Sequence, residues 1–522
     1  MRQRIQRIAD VENTGSNRII SGVLILTISN LLVKVIGLLF KIPITNIVGD
    51  EGMGYFNAAY RIYTWFYMVS TAGLPVALSI MISGSRAKNN INEVKNIYRI
   101  TMILFIVIGI IGTGGMILSS RFFAVLIGSE AIYLCIITIS PALFFICISS
   151  AIRGFFQGHQ NMFPTAISQI FEAVGKLSLG IIFALYAINR GYDIYIVAAF
   201  AISGLTIGTA AGMLFLLIAK MLSREEICDN MDSRSNKTLL LTLVKLAVPI
   251  TISASVMSLT DLIDVMIIIR RLQNIGFSEA AAVAMYGNYT SLAVPMFNLP
   301  PVLIYPIAYS IVPMISSAIA SDDEIKAVNI ISNALKVAVI IAVPTSLGMS
   351  VFAKPILGIF YKSASVDMAA PLLSILSLSV FFICILAITN SVLQAYGLER
   401  KPIISILFGA VVKLISSTIL IGIPSIGING APIGTFLCYL TITVINFHYI
   451  IKYIRFDMNI FVKPIISSVL CVLLAMLAYT VVKSIIFAIG VAVIVYVAVL
   501  YFIKGITKDD ILILRSVKKD ER

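Results

Sequence analysis

Apolar runs of about 20 residues, divided by short polar breaks, fill the chain from residue 18 to residue 503. A helix of that length crosses the hydrocarbon core of a bilayer, so the pattern predicts an all-α polytopic membrane protein with fourteen transmembrane helices. The breaks are short except for 220–238, which is polar and mixed in charge. The predicted organisation is a cytoplasmic N-terminal tail (1–17), an N-lobe of helices 1–6 (18–219), a cytoplasmic linker (220–238) and a C-lobe of helices 7–12 (239–451). Helices 13 and 14 (452–503) and a cytoplasmic C-terminal tail (504–522) follow. Predicted helix 8, at 281–317, is over-long and holds Pro295, Pro300, Pro301, Pro306 and Pro313. Proline removes a backbone donor and crowds the preceding turn, which predicts a kinked or partly unwound start.

The pattern occurs twice. Residues Ser149 to Leu177, SSAIRGFFQGHQNMFPTAISQIFEAVGKL, leave one apolar run, cross a polar hairpin and enter a second run at Pro164. Residues Asn390 to Leu414, NSVLQAYGLERKPIISILFGAVVKL, echo them, with Gln157 and Lys176 spaced as Gln394 and Lys413 are. Tyr55, Asn57, Pro75 and Ser79 match Tyr286, Asn288, Pro306 and Ser310 at one constant offset. Corresponding segments of this kind mark a transporter built from two halves. The expectation is two six-helix lobes related by a pseudo-two-fold axis near the membrane normal, with helices 13 and 14 outside the repeat.

Composition supports the membrane reading. Hydrophobic residues make up 59% of the chain and charged residues 12%, against roughly 45–50% and 25% in soluble domains. The first apolar run is longer than the 7–15 residues of a signal-peptide core and reads as a retained span. A net charge of +14 would suggest nucleic acid in a soluble protein. Here most Lys and Arg fall in alternate loops, which places those loops and both termini on the cytoplasmic side of the membrane. Arg270 and Arg271 are exceptions on the external side, and Asp322, Asp323 and Glu324 make one internal loop acidic. The six cysteines show no CxxC spacing, and the two histidines are far apart in sequence, so no metal site is predicted. No phosphate-gripping GxxxxGK[ST], nucleophile elbow or HExxH occurs, so the chain reads as neither an ATPase nor an enzyme, with no cofactor.

Charged residues at membrane depth are costly and usually face a bundle interior or a wet cavity. In helix 1, Asn30, Lys34, Gly37 and Lys41 recur at steps of four, three and four and share a face. Lys34 is near mid-span and favours a cavity; Lys41 either joins it or snorkels to an interface. Arg61, within YFNAAYRIYTWF, is either a cavity cation or an interfacial anchor in an aromatic belt. Arg153 lies in the polar hairpin, and Glu172 and Lys176 are four apart, able to neutralise one another. In helix 7, Asp261 and Asp264 lie three apart on one face. They need a basic side chain, a proton or a bound monovalent cation, and Lys413 on helix 11 is the protein partner that the repeat suggests.

Three stretches carry a family resemblance: LILTISNLLVKVIGLLFKIPITNIVGDEGMGYFNAAYRIY (24–63), STAGLPVALSIMIS (70–83) and RGFFQGHQNMFPTAISQIFEAVGKL (153–177). They resemble the multidrug/oligosaccharidyl-lipid/polysaccharide (MOP) flippase superfamily, in its stage V sporulation protein B-like polysaccharide-biosynthesis branch, related to the lipid II flippases. The resemblance implies a V-shaped pair of lobes around a cavity that opens alternately to each side. It implies undecaprenyl-diphosphate-linked glycans as substrates, with membrane lipids around the tail and cell-wall synthesis proteins as candidate partners. Arg61 matches the helix 2 arginine that grips the diphosphate in such relatives. The helix 8 arginine is replaced, since Asn288 and Tyr289 stand there; Lys34, Lys41 or Arg270 could compensate. A sodium site would take Asp261 or Asp264, but helix 11 offers no Asp, Glu, Asn or Gln between Ile403 and Ile421. The alternative is a cation-coupled multidrug antiporter of the same superfamily, which typically has twelve helices and a less basic cavity. A membrane glycosyltransferase would need a substantial external loop that this chain lacks.

Overall fold

The computed structural model describes residues 2–223, 234–361, 363–451 and 459–503. Cys228, most of the predicted linker and the predicted C-terminal tail lie outside the described residues. Every regular element among the described residues is helical. Twelve helical stretches are long and apolar enough to cross a membrane. One of them, Leu32–Ala87, holds predicted helices 1 and 2. The helix Asn236–Asn274 covers predicted helix 7 in addition to the twelve. The predicted fourteen are accounted for in this way.

The first helix, α1 (Arg2–Thr71), is two helical segments joined at Gly49, whose φ of 75° and ψ of 179° suit glycine alone. The helix begins well inside the predicted polar tail, where RQRIQRIADVE is rich in helix formers. Predicted helix 2 is broken again before α2 (Leu74–Ala87), at Gly73. There the Gly73 amide donates to Thr251 Oγ1 at 3.2 Å, and a Cβ would strike the Ala247 carbonyl oxygen. Both contacts come from α8 (Asn236–Asn274), so the break follows from close backbone approach.

Helices α3 (Ile91–Leu118), α5 (Ile132–Gly158), α6 (Phe163–Asn189) and α7 (Ile194–Leu222) complete the first bundle. Helices α6 and α7 meet along a seam of small residues. A Cβ on Gly175 would come within 2.6 Å of the Gly208 Cα, and one on Gly208 within 2.7 Å of the Glu172 carbonyl oxygen. Small residues permit such close packing where lipid gives no hydrophobic drive. A short helix, α4 (Ser120–Ile127), follows α3 and ends at Gly128, with φ 96°. Before α8, Arg234 donates to the buried Glu93 carboxylate at 2.7 Å, which also accepts from Ser85 Oγ at 2.7 Å.

By contact the chain forms two compact units, one of residues 1–273 and 277–287, the other of residues 274–276 and 288–522. The first unit therefore extends through α8. The physical reason is the set of bonds that α8 and the segment before it make to Gly73, Glu93 and Arg61.

Predicted helix 8 is segmented, as its prolines imply: α9 (Glu279–Asn288), a π-helical turn (Tyr289–Ala293), α10 (Val294–Phe297) and α11 (Leu299–Ala320). In the second unit, Tyr289 Oη lies 3.2 Å from Thr435 Oγ1, and Tyr361 Oη donates to the Ser291 carbonyl at 3.3 Å. These bonds hold the π turn. Helix α12 (Glu324–Val351) is followed by a short helix, α13 (Ala353–Phe360), as α3 is by α4. Helix α14 (Ser363–Ala395) joins α12 through Ser374 and Ser350, each hydroxyl donating to the other's carbonyl at 2.7 and 2.8 Å. The unit also holds α15 (Arg400–Ile421), α16 (Gly430–Ile450), α17 (Asn459–Val482) and α18 (Ile485–Phe502). The last two pack on α12, where Tyr496 Oη donates to the Ile340 carbonyl at 2.8 Å. Their outer faces stay apolar, with Ile494 and Phe502 exposed, as lipid contact requires. Five cysteines are buried free thiols.

Candidate functional site

The first unit gathers charged side chains inside its membrane-spanning part. The break at Gly49 redirects α1, and Gly54 then meets α9, where a Cβ on Gly287 would come within 2.8 Å of the Gly54 nitrogen. This approach sets Tyr286 beside Arg61, and the two side chains are hydrogen-bonded. Arg61 Nη1 donates to Asp261 Oδ2 of α8 at 2.7 Å. Asp264, one turn along α8 and buried, is also within electrostatic reach of Arg61.

A second group adjoins the first. Arg153 Nη2 of α5 bonds Glu172 Oε2 of α6 at 3.2 Å, while Arg153 Nε donates to Ser168 Oγ at 3.0 Å. Glu172 thus has Arg153 as its hydrogen-bonded partner, and Lys176 remains an electrostatic neighbour. The Lys176 Nζ sits over three rings of α1, at 5.0 Å from Phe40, 5.8 Å from Phe56 and 5.0 Å from Tyr60. Lys41, half-buried, is close enough to Lys176 and Arg61 to be repelled by both. Along α1, ring contacts continue from Tyr60 to Tyr63 at 5.9 Å and on to Tyr67 at 6.1 Å.

The structure therefore brings together Lys41, Arg61, Arg153 and Lys176 with Glu172, Asp261 and Asp264. Lys34 is exposed, seven residues before Lys41. Arg270 has a different place: its Nε donates to the Leu126 carbonyl at 3.2 Å and its Nη2 to the Val125 carbonyl. Gln273 Nε2 adds a bond to the Gly128 carbonyl at 2.6 Å, so these two residues cap the C-terminus of α4, where cations are favoured. Lys413 lies half-buried on α15 of the second unit. Asp261 takes its ion pair from Arg61, two hundred residues away.

The aromatic box around Lys176 and the Tyr286 contact were not singled out in the sequence. A signal for the box exists: Phe56, Tyr60, Tyr63 and Tyr67 recur at helical spacing and share one face. Among the described residues, no group of three or more His, Cys, Asp and Glu could hold a metal ion.

Chemically, the cluster offers two planar guanidinium groups, two ammonium groups and three carboxylates. A guanidinium fork matches phosphate or carboxylate geometry, and an ammonium supplies point charge. Fold and site together define a multi-pass α-helical membrane transporter. The chain belongs to the polysaccharide biosynthesis protein family, whose model matches residues 19–319, within the MOP superfamily. A second family model, MatE, matches residues 249–419. The chain is 26% identical to stage V sporulation protein B of Bacillus subtilis, covering 82% of each chain. It is 24% identical to the lipid II flippase MurJ of the same organism, over 86% of this chain and 85% of the relative. Its fold matches a structure of lipid II flippase MurJ in an inward closed conformation, with a TM-score of 0.68 and 16% identity, over 92% of this chain and 98% of the other. One of these relatives is a flippase and the other a sporulation protein by name.

Proposed function

We propose that this chain is a flippase carrying an undecaprenyl-diphosphate-linked cell-wall or polysaccharide precursor, lipid II-like in its headgroup, across the bacterial plasma membrane. The observation that carries this reading is the gathering of Arg61, Lys41 and Lys176 within the membrane-spanning part of the first unit. A diphosphate is a compact dianion, and about 30 Å of hydrocarbon is prohibitive for it unaided. Cationic donors in a wet site replace its hydration, and exposing that site to each side in turn moves the headgroup. The polyprenyl tail stays in lipid, with α17 and α18 offering an apolar surface. That one relative is a lipid II flippase supports this substrate class.

The test is protein-dependent exposure of labelled lipid II on the opposite leaflet of sealed vesicles. Arg61→Ala should reduce flipping to the protein-free rate, with Arg61→Lys intermediate because it keeps charge but loses the fork. Both variants should still insert and elute as the parent does. Parental flipping by Arg61→Ala would refute the diphosphate reading. The MatE match favours a second reading, a cation-coupled multidrug antiporter. It would be preferred if the vesicles took up organic cations and did not flip lipid II.

A further inference from the structure

The Arg61–Asp261 pair differs from the other ion pairs of the first unit. Arg153 is nearly buried, its side chain 10% exposed, and is anchored to both Glu172 and Ser168. The Glu93 side chain is 8% exposed and is held by Arg234 and Ser85 together. Breaking either pair would strand a buried charge. Arg61 and Asp261, by contrast, have side chains 29% and 45% exposed. They meet through one nitrogen and one oxygen at 2.7 Å. A guanidinium has five N–H donors, so this contact leaves most of the fork unspent. Tyr286, buried on α9, is a hydrogen-bonded neighbour of the same guanidinium.

We infer that Asp261 is an internal stand-in for the substrate phosphate: it holds Arg61 in the empty transporter, yields it to the arriving diphosphate, and reclaims it to drive release. This rests on the diphosphate reading above. A carboxylate and a phosphate offer the same guanidinium the same kind of acceptor oxygens, so the two compete for one group. Both partners are wet enough to separate, and neither is then left dry and unpaired. The occupied fork lowers apparent affinity by the fraction of time in which Arg61 is free. In return, Asp261 supplies an intramolecular competitor at the moment of release. Asp261 is thus a positioning residue, acting on substrate through Arg61.

The experiment measures binding of farnesyl diphosphate to the purified full-length chain in detergent, for the parent, Asp261→Asn, Asp261→Glu, Arg61→Ala and the Asp261→Asn/Arg61→Ala pair. Asp261→Asn should bind about tenfold tighter, the scale of one modest ion pair removed from competition. Asp261→Glu should return to parental affinity, and the gain should vanish in the Arg61→Ala background. In vesicles, Asp261→Asn should flip lipid II more slowly despite tighter binding. Unchanged or weaker binding by Asp261→Asn, with the parent binding normally, would overturn this inference and leave the substrate reading intact. A gain that persists without Arg61 would also overturn it, since the carboxylate would then act only through its field. Absence of binding by parent and Asp261→Asn alike would overturn the diphosphate reading and this inference with it.

Discussion

Lys176 shows how a cation is kept at membrane depth. Three ring faces of α1 receive its ammonium, each worth about 0.5–2 kcal/mol depending on desolvation. Glu172 attracts it from one turn away, which offsets repulsion from Lys41. Glu172 is itself claimed by Arg153, so the charges form a chain and not isolated pairs. Removing one member of a largely buried pair leaves its partner uncompensated, at about 3 kcal/mol or more. Arg153→Met should therefore lower the melting temperature of the purified protein markedly. The Arg153→Met/Glu172→Gln double variant should recover much of that loss. A double variant less stable than both singles would show that Arg153 matters through packing and Ser168 instead.

At the scale of elements, glycine decides where helices touch. Gly208 faces the α6 backbone at Glu172 and Lys176, with no room for a methyl group. Gly84, exposed on α2, meets nothing within 4 Å of where a Cβ would stand. Alanine in a helix interior is favoured over glycine by about 1 kcal/mol, so the same substitution should act oppositely at the two sites. Gly84→Ala should leave the melting temperature unchanged or raise it slightly. Gly208→Ala should lower it, and should also impair flipping, because it displaces the segment of α6 that carries Glu172 and Lys176. Equal melting temperatures for the two variants would contradict the tight seam. The breaks at Gly49 and Gly73 belong to the same account: one needs a positive φ, the other a close neighbour.

At the scale of the molecule, the twofold pattern reaches beyond the matched sequence. Helices α4 and α13 are each eight residues long, and each follows a 28-residue helix. Neither short helix was anticipated, since eight residues fall below the length of a span. Their matching places in the two halves support duplication, and residues 149–177 and 390–414 are expected to superpose on one another. The Lys and Arg bias further predicts that both termini face the cytoplasm. Reporter fusions at each end that read cytoplasm only in the folded state should both be active. An inactive reporter at one end alone would require an odd number of spans.

Hydropathy was enough to predict the all-helical class, the number of spans and the segmented start of predicted helix 8. Each follows from local properties: run length, apolar content and proline. The shared face of Asp261 and Asp264, and the need of these carboxylates for a partner, were equally legible, because helical spacing and desolvation cost are written in the chain. The partner itself was not. Repeat geometry suggested Lys413, whereas Asp261 pairs with Arg61, and Arg270 caps α4 instead of joining the cations. A sequence states which residues share one helix face, but it does not state how that helix is rotated or which neighbour it meets. Those choices arise from backbone approach at Gly54, Gly73 and Gly287, and only the tertiary structure makes them.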